Sequence, residues 1–168
     1  IADVGQGLTY EGKNLPGGMT AVSDEYFVGA VRGYHRTDRC LDTLSLREPV
    51  WMNMNEKAIF GPRKGTTRGV PQILMNYASA GRGPWRLKAA IDRQGVPVTS
   101  NFSVCRPIKR VSLDLLSGVL NGPLTNLFLY CHCNKRHHPD PIVASIPFPR
   151  LEQPSTATAL ELTVQTFE

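Results

Sequence analysis

From Tyr26 to the C-terminus, short runs of alternating apolar and polar residues recur between Gly- and Pro-rich breaks such as Gly61-Pro62-Arg63-Lys64-Gly65 and Gly81-Arg82-Gly83-Pro84. Side chains two apart on an extended chain share a face, so this period is met by sheets that bury one side. The breaks draw on 15 Gly and 13 Pro in 168 residues, a turn-rich composition that still carries enough apolar residues for a core. The pattern predicts an all-β, antiparallel two-sheet sandwich of about eight strands. Long connections over 35–48, 55–70 and 117–126 suit a jelly roll better than an immunoglobulin sandwich, which has tighter turns and a Cys, Trp, Cys spacing.

At this length one domain is expected, over residues 25–168, preceded by an irregular N-terminal arm over 1–24 whose Gly5, Gly7, Gly12, Pro16, Gly17 and Gly18 read as breakers. Strands are expected at 25–34, 49–54, 72–78 and 101–106. The clearest is 85–92, with Trp85, Leu87, Ala89 and Ile91 toward the core and Arg86, Lys88 and Asp92 outward. Three more are read at 111–115, at 127–133 with Leu127, Leu129, Cys131 and Cys133 on one face, and at 142–148. A last strand places Leu160, Leu162 and Val164 opposite Glu161, Thr163 and Gln165. Over 111–122 a helix competes, because Ser112 can cap it, Leu113, Leu116 and Leu120 fall at helical spacing, and Gly122-Pro123 would stop it; the strand is preferred.

The formal charge of +5 is spread over small basic groups, among them Arg32/Arg36/Arg39 and Arg106/Lys109/Arg110. The exposed basic loop with Arg63, Lys64 and Arg68 is a candidate binding element for RNA or another polyanion, although no basic group is interleaved with aromatics along the sequence. No stretch approaches the roughly 20 apolar residues that span a bilayer.

Chemistry concentrates at Cys131-His132-Cys133-Asn134-Lys135-Arg136-His137-His138, which holds two of the four cysteines and three of the four histidines. Thiolate and imidazole are what tetrahedral zinc prefers, so Cys131, Cys133, His137 and His138 are the candidate ligands. The plainer reading makes the cysteines small hydrophobes on a buried strand and the rest a wet basic turn. No cofactor is otherwise implied. Cys131 and Cys133 on one strand would stand about 7 Å apart, too far for a disulfide. A hydrolase would recruit Asp38 or Asp140, a histidine, and Ser79 or Ser145, but no serine sits in a Gly-x-Ser-x-Gly elbow, and no phosphate-cradling Gly-rich motif is present. Asn101-Phe102-Ser103 is the one N-glycosylation triplet. Trp51, Trp85, Tyr26, Tyr34, Tyr77 and Tyr130 would supply a sugar-stacking platform if they faced outward.

An N-terminal arm, about eight strands with long loops, a start at Ile1, scattered basic groups and the C-terminal run from Ala159 to Phe167 resemble the jelly-roll coat proteins of small icosahedral positive-strand RNA viruses, particularly those cut from a polyprotein. Residues 1–12 hold no basic residue, unlike coat proteins with an Arg/Lys-rich arm, so the resemblance is to the picornavirus-like kind or to a protruding surface domain. It implies a structural, non-enzymatic, self-assembling chain of a virion. Its partners would be copies of itself, sister capsid chains and a host receptor, with Ile146 and Phe148 on the assembly surface. The alternatives are a secreted glycan- or receptor-binding module and a metal-dependent enzyme centred on Cys131–His138. A start at Ile rather than Met fits polyprotein processing, loss of a leader, or trimming.

Overall fold

The computed structural model describes residues 2–10, 15–42, 44–108, 111–133 and 136–148. These are predominantly β, with eleven strands paired antiparallel and a few short helices. The strands are β1 (Ala2–Gln6), β2 (Thr9–Tyr10), β3 (Val22–Ser23), β4 (Ala30–Gly33), β5 (Leu41–Asp42), β6 (Ser45–Leu46), β7 (Val50–Asn53), β8 (Ile59–Gly61), β9 (Gln72–Asn76), β10 (Ala89–Asp92) and β11 (Phe102–Pro107). The helices are α1 (Thr37–Cys40), α2 (Leu113–Asn121), α3 (Pro123–His132) and α4 (Asp140–Ala144).

The largest sheet runs β1-β11-β9-β10, and its side chains alternate between two cores as a period of two requires. Ile73, Met75, Ala89 and Cys105 face one core with α2, α3 and α4, while Leu74, Ala90, Phe102 and Val104 face another with Cys40 and Leu41. All five residues of β9 are therefore buried. A second sheet, β3-β7-β4, buries Met52 under Gly33, where a Cβ would lie 2.4 Å from the Met52 sulfur.

The N-terminal segment is not an irregular arm. β1 is hydrogen-bonded along β11 from Ala2↔Pro107 to Gln6↔Ser103, and Leu8 beyond it is fully buried. Gly5 and Gly7 serve close approach, while Gly17 and Gly18, with positive φ and open space around them, do break the chain as read. A Cβ on Gly7 would stand 2.1 Å from the Thr99 carbonyl oxygen, and Gly5 leaves room for the Lys64 stem.

Three expected strands are helices. Ser112 Oγ accepts from Leu115 N at 3.1 Å, so the N-cap that competed with the strand reading prevails and α2 forms over Leu113–Asn121. The 127–133 alternation dissolves because α3 starts with Pro123 in its first turn and turns Thr125, Asn126 and Leu129 inward. The two inward polar residues are satisfied, Thr125 Oγ1 by the Val119 carbonyl at 2.7 Å and Asn126 by backbone groups. At 142–148, Pro141 again sits in the first turn of a helix, α4, which buries only Val143. The strand at 85–92 shortens to Ala89–Asp92, with Arg86 buried and Trp85 exposed, the reverse of the expected facing. Only Ala30–Gly33 of 25–34 pairs as strand. The expected strand at 160–164 lies outside the described residues.

Candidate functional site

The Cys/His cluster is pulled apart by α3. Cys131 is exposed near the helix end, Cys133 is buried against the core, His137 is exposed with its ring 5.1 Å from that of Tyr77, and His138 is fully buried. Among the described residues no group of three His, Cys, Asp or Glu side chains is placed to hold a metal ion. The zinc expectation fails because residues two apart on a strand share a face, whereas on a helix and the turn after it they diverge. Burial also pushes the Cys133 thiol up, away from the thiolate that zinc requires.

A buried polar network stands in that place. Asn126 Oδ1 accepts from Arg86 N at 2.8 Å and Leu87 N at 2.9 Å. The Arg86 guanidinium lies 4.6 Å over the Tyr130 ring and donates through Nε to the Gly83 carbonyl at 3.0 Å. The His138 Nε2 lies 3.3 Å from the Arg86 carbonyl oxygen, which can only accept, so Nε2 carries the proton and Nδ1 is left with a buried lone pair and no partner among the described residues. Burial holds the His138 pKa below its ordinary 6.5, with Arg86 and His137 pushing the same way against the bond to the Arg86 carbonyl.

The folded protein therefore keeps His138 neutral where the unfolded chain would take up a proton. Its contribution to stability is complete above about pH 6.5 and is lost progressively as pH falls below that value toward the lower folded pKa. Melting temperature followed from pH 7.5 to 5 should fall less steeply in His138→Gln than in the wild type. An identical slope in the two proteins would remove His138 from the acid response.

A second histidine is fixed differently. Thr99 Oγ1 donates to the His35 carbonyl at 2.8 Å and therefore accepts from His35 Nδ1–H at 3.2 Å, leaving Nε2 as the lone-pair nitrogen. His35 lines a cleft with Arg36, Arg39, Asp24 and Glu48, where each arginine meets an aspartate: Arg36 with Asp38 at 2.6 Å and Arg39 with Asp24 at 4.0 Å. The cleft is charge-balanced; Ser23 and Cys40 also line it, and Cys40 Sγ donates to the Glu48 carbonyl at 3.4 Å. Of the groups considered for a hydrolase, Ser145 is bonded to the Ile142 carbonyl, Asp140 accepts from Ser103, and Ser79 Oγ is buried without a partner among the described residues.

Of the basic loop, Arg63 and Arg68 are exposed, while Lys64 is turned inward to an ion pair with Asp3. Ile146 and Phe148 are half-buried against the α2–α4 core beside Cys105, whose thiol burial pushes up to about 12, so the core takes up part of each side chain. Asn101 is exposed, but its amide donates to the His35 carbonyl at 2.7 Å, and Phe102 and Ser103 of its triplet are buried. The aromatic residues do not form one platform. Trp51 has the Arg32 guanidinium 4.7 Å over its ring and Tyr26 edge-on at 4.9 Å, and Trp85 is exposed apart from them.

Sequence reasoning missed the outward face of α3. Leu124, Leu127 and Tyr130 are 73%, 55% and 47% exposed, and Leu124, Leu127, Phe128 and Cys131 line an apolar groove closed by Pro147 and Phe148. Their spacing of three is the signal, visible once Pro123 is read as a first-turn residue.

These features define a predominantly β, antiparallel protein with an apolar helix face turned to solvent. No described helix is long and apolar enough to cross a membrane. A scan against protein-family models finds no match, and a search of the curated proteins finds none either.

Proposed function

We propose that the chain is a structural subunit that assembles with copies of itself, as the jelly-roll coat proteins of small RNA viruses do, and that it acts through contacts rather than catalysis. The observation that carries this reading is the α3 face. Two leucines and a tyrosine lie in solvent beside an apolar groove, on a molecule that satisfies most of its buried polar groups internally. Fully burying a leucine is favourable by about 1.5–3 kcal/mol, so leaving two of them wet is a standing drive toward association. A second copy is the chosen occupant because α3 itself carries no Asp, Glu, Lys or Arg, and a two-fold contact sets the same patch against itself.

Sedimentation at increasing concentration tests it. The wild type is expected to associate, and Leu124→Arg combined with Leu127→Glu is expected to remain a monomer with an unchanged melting temperature, since neither side chain supports the core. A wild type that sediments as a monomer of 18.5 kDa throughout would overturn the reading. The second reading, a glycan- or receptor-binding module, is favoured by the exposed Trp85, which is 56% accessible. Loss of a glycan-array signal in Trp85→Ala would establish it.

A further inference from the structure

The small sheet β3-β7-β4 has two faces of opposite character. Directly opposed residues of neighbouring strands share a face, so Val22, Met52 and Val31 stand together on the covered side, where Met52 is fully buried. Ser23, Trp51 and Arg32 stand together on the other side. Both β3 and β4 run antiparallel to β7, so the connection over 24–29 has to pass from the Trp51 end of the sheet to the Asn53 end. Tyr26 meets Trp51 on the way, which puts the crossing on the Trp51 face.

Two turns fix that crossing. Ser23 Oγ accepts from Glu25 N at 3.0 Å, and the Phe27 carbonyl accepts from Ala30 N at 3.0 Å. Between them the Tyr26 ring stands edge-on to Trp51 with centroids 4.9 Å apart, and the Arg32 guanidinium lies 4.7 Å from the centroid of the same indole. Trp51 is half-buried, Tyr26 is 63% exposed and Arg32 is exposed, so one sheltered ring supports two wet groups. Stacking occupies a face of the guanidinium and leaves its edge open. Among the described residues neither the five N–H donors of Arg32 nor the Tyr26 hydroxyl enters a hydrogen bond or an ion pair, whereas Arg36, Arg39 and Arg47 each meet an aspartate.

We propose that Tyr26, Trp51 and Arg32 bind a sugar that carries a carboxylate, with the carboxylate on the Arg32 fork and the apolar side of the sugar ring against the Tyr26–Trp51 pair. The planar fork matches a carboxylate in two parallel bonds, and the indole orders it before the ligand arrives. Asp24 and Glu25 lie in the same crossing, and Asp24 is 4.0 Å from Arg39. One unspent cation beside two carboxylates takes a single negative charge and turns away a nucleic acid, whose phosphates would face both acids. The ring hydroxyls of a sugar can donate to those acids. The site shares no residue with the α3 face or with Trp85, so its failure would leave the assembly reading untouched.

Saturation-transfer NMR titrations test it with 3′-sialyllactose, its methyl ester, lactose, and an unsulfated hyaluronan tetrasaccharide. A carboxylated sugar should bind in preference to lactose, and the sialoside and hyaluronan arms tell a sialic acid from a uronic acid as its source. Where the sialoside binds, its methyl ester should bind about ten-fold more weakly, because the ester keeps the shape and loses the charge. Arg32→Lys keeps the charge and loses the fork, and should also cost about ten-fold at an unchanged melting temperature. Tyr26→Ala should cost about five-fold. Trp85→Ala, and Leu124→Arg with Leu127→Glu, should bind as the wild type does. Equal affinity for acid and ester, wild-type affinity in Arg32→Lys, tighter binding of oligouridine than of either sugar, or no saturation transfer to either sugar at millimolar concentration would each overturn the proposal.

Discussion

Asp92→Ala should unfold at markedly lower denaturant, with a loss of about 3 kcal/mol or more in equilibrium unfolding. The Asp92 carboxylate is buried and accepts four donors: Gln94 N at 3.1 Å, Gly95 N at 2.9 Å, Val96 N at 2.7 Å and Gln72 Nε2 at 2.9 Å. Removing it strands three backbone N–H groups in the turn after β10, each costing about 1–3 kcal/mol when left unpaired and dry. The damage spreads, because Gln72 Oε1 in turn holds the Arg106 guanidinium at 2.9 Å and so ties β9 to β11. Asp92→Asn keeps one acceptor oxygen and should fall between the two. The exposed Arg36–Asp38 pair makes the contrast, since Asp38→Ala should leave the transition where it was. If Asp92→Ala unfolds within about 1 kcal/mol of the wild type, the turn does not depend on this carboxylate.

Gly65→Ala should be comparably severe for a steric reason. The added methyl would lie 2.0 Å from Leu8 N and 2.2 Å from the Val98 carbonyl oxygen, two atoms already bonded to each other at 2.9 Å. Neither can retreat without opening the contact between the segment after β1, the 96–99 loop and the basic loop, so a loss of about 3 kcal/mol is expected. Gly81→Ala adds the same methyl where nothing lies within 4 Å, and should be neutral or stabilising by about 0.4–1 kcal/mol. Thermal melts of the two variants side by side check this; equal melting temperatures would refute the close approach at Gly65.

How legible this was depends on which residues carried the signal. The strands expected at 72–78 and 101–106 are legible: β9 forms over Gln72–Asn76 and β11 over Phe102–Pro107, with Phe102 and Val104 facing one core. The alternation misled at 127–133, where Leu127 faces solvent, Leu129 the core, and the inward positions beside it are Thr125 and Asn126. A polar residue satisfied by the backbone looks, in sequence, like one that faces water. Arg86 deceives the same way, its charge suggesting solvent while its side chain is buried with the Gly83 carbonyl and the Tyr130 ring among its partners. Gly5 and Gly7 carry the opposite error, since composition alone does not separate a glycine that breaks a strand from one that lets the chain pass close to a neighbour. The outward sorting of Arg63 from Lys64 depends on the ion pair of Lys64 with Asp3 on β1, which no local pattern encodes.

The pairing of β1 with β11 has a consequence for the life of the chain. The two strands are about a hundred residues apart, so during synthesis β1 stays unpaired until β11 has left the ribosome. Loss of β1 from the folded molecule would bare the backbone of β11 as a template for foreign strands. β1 is thus the shield of β11, and its retention decides whether that strand meets foreign backbone.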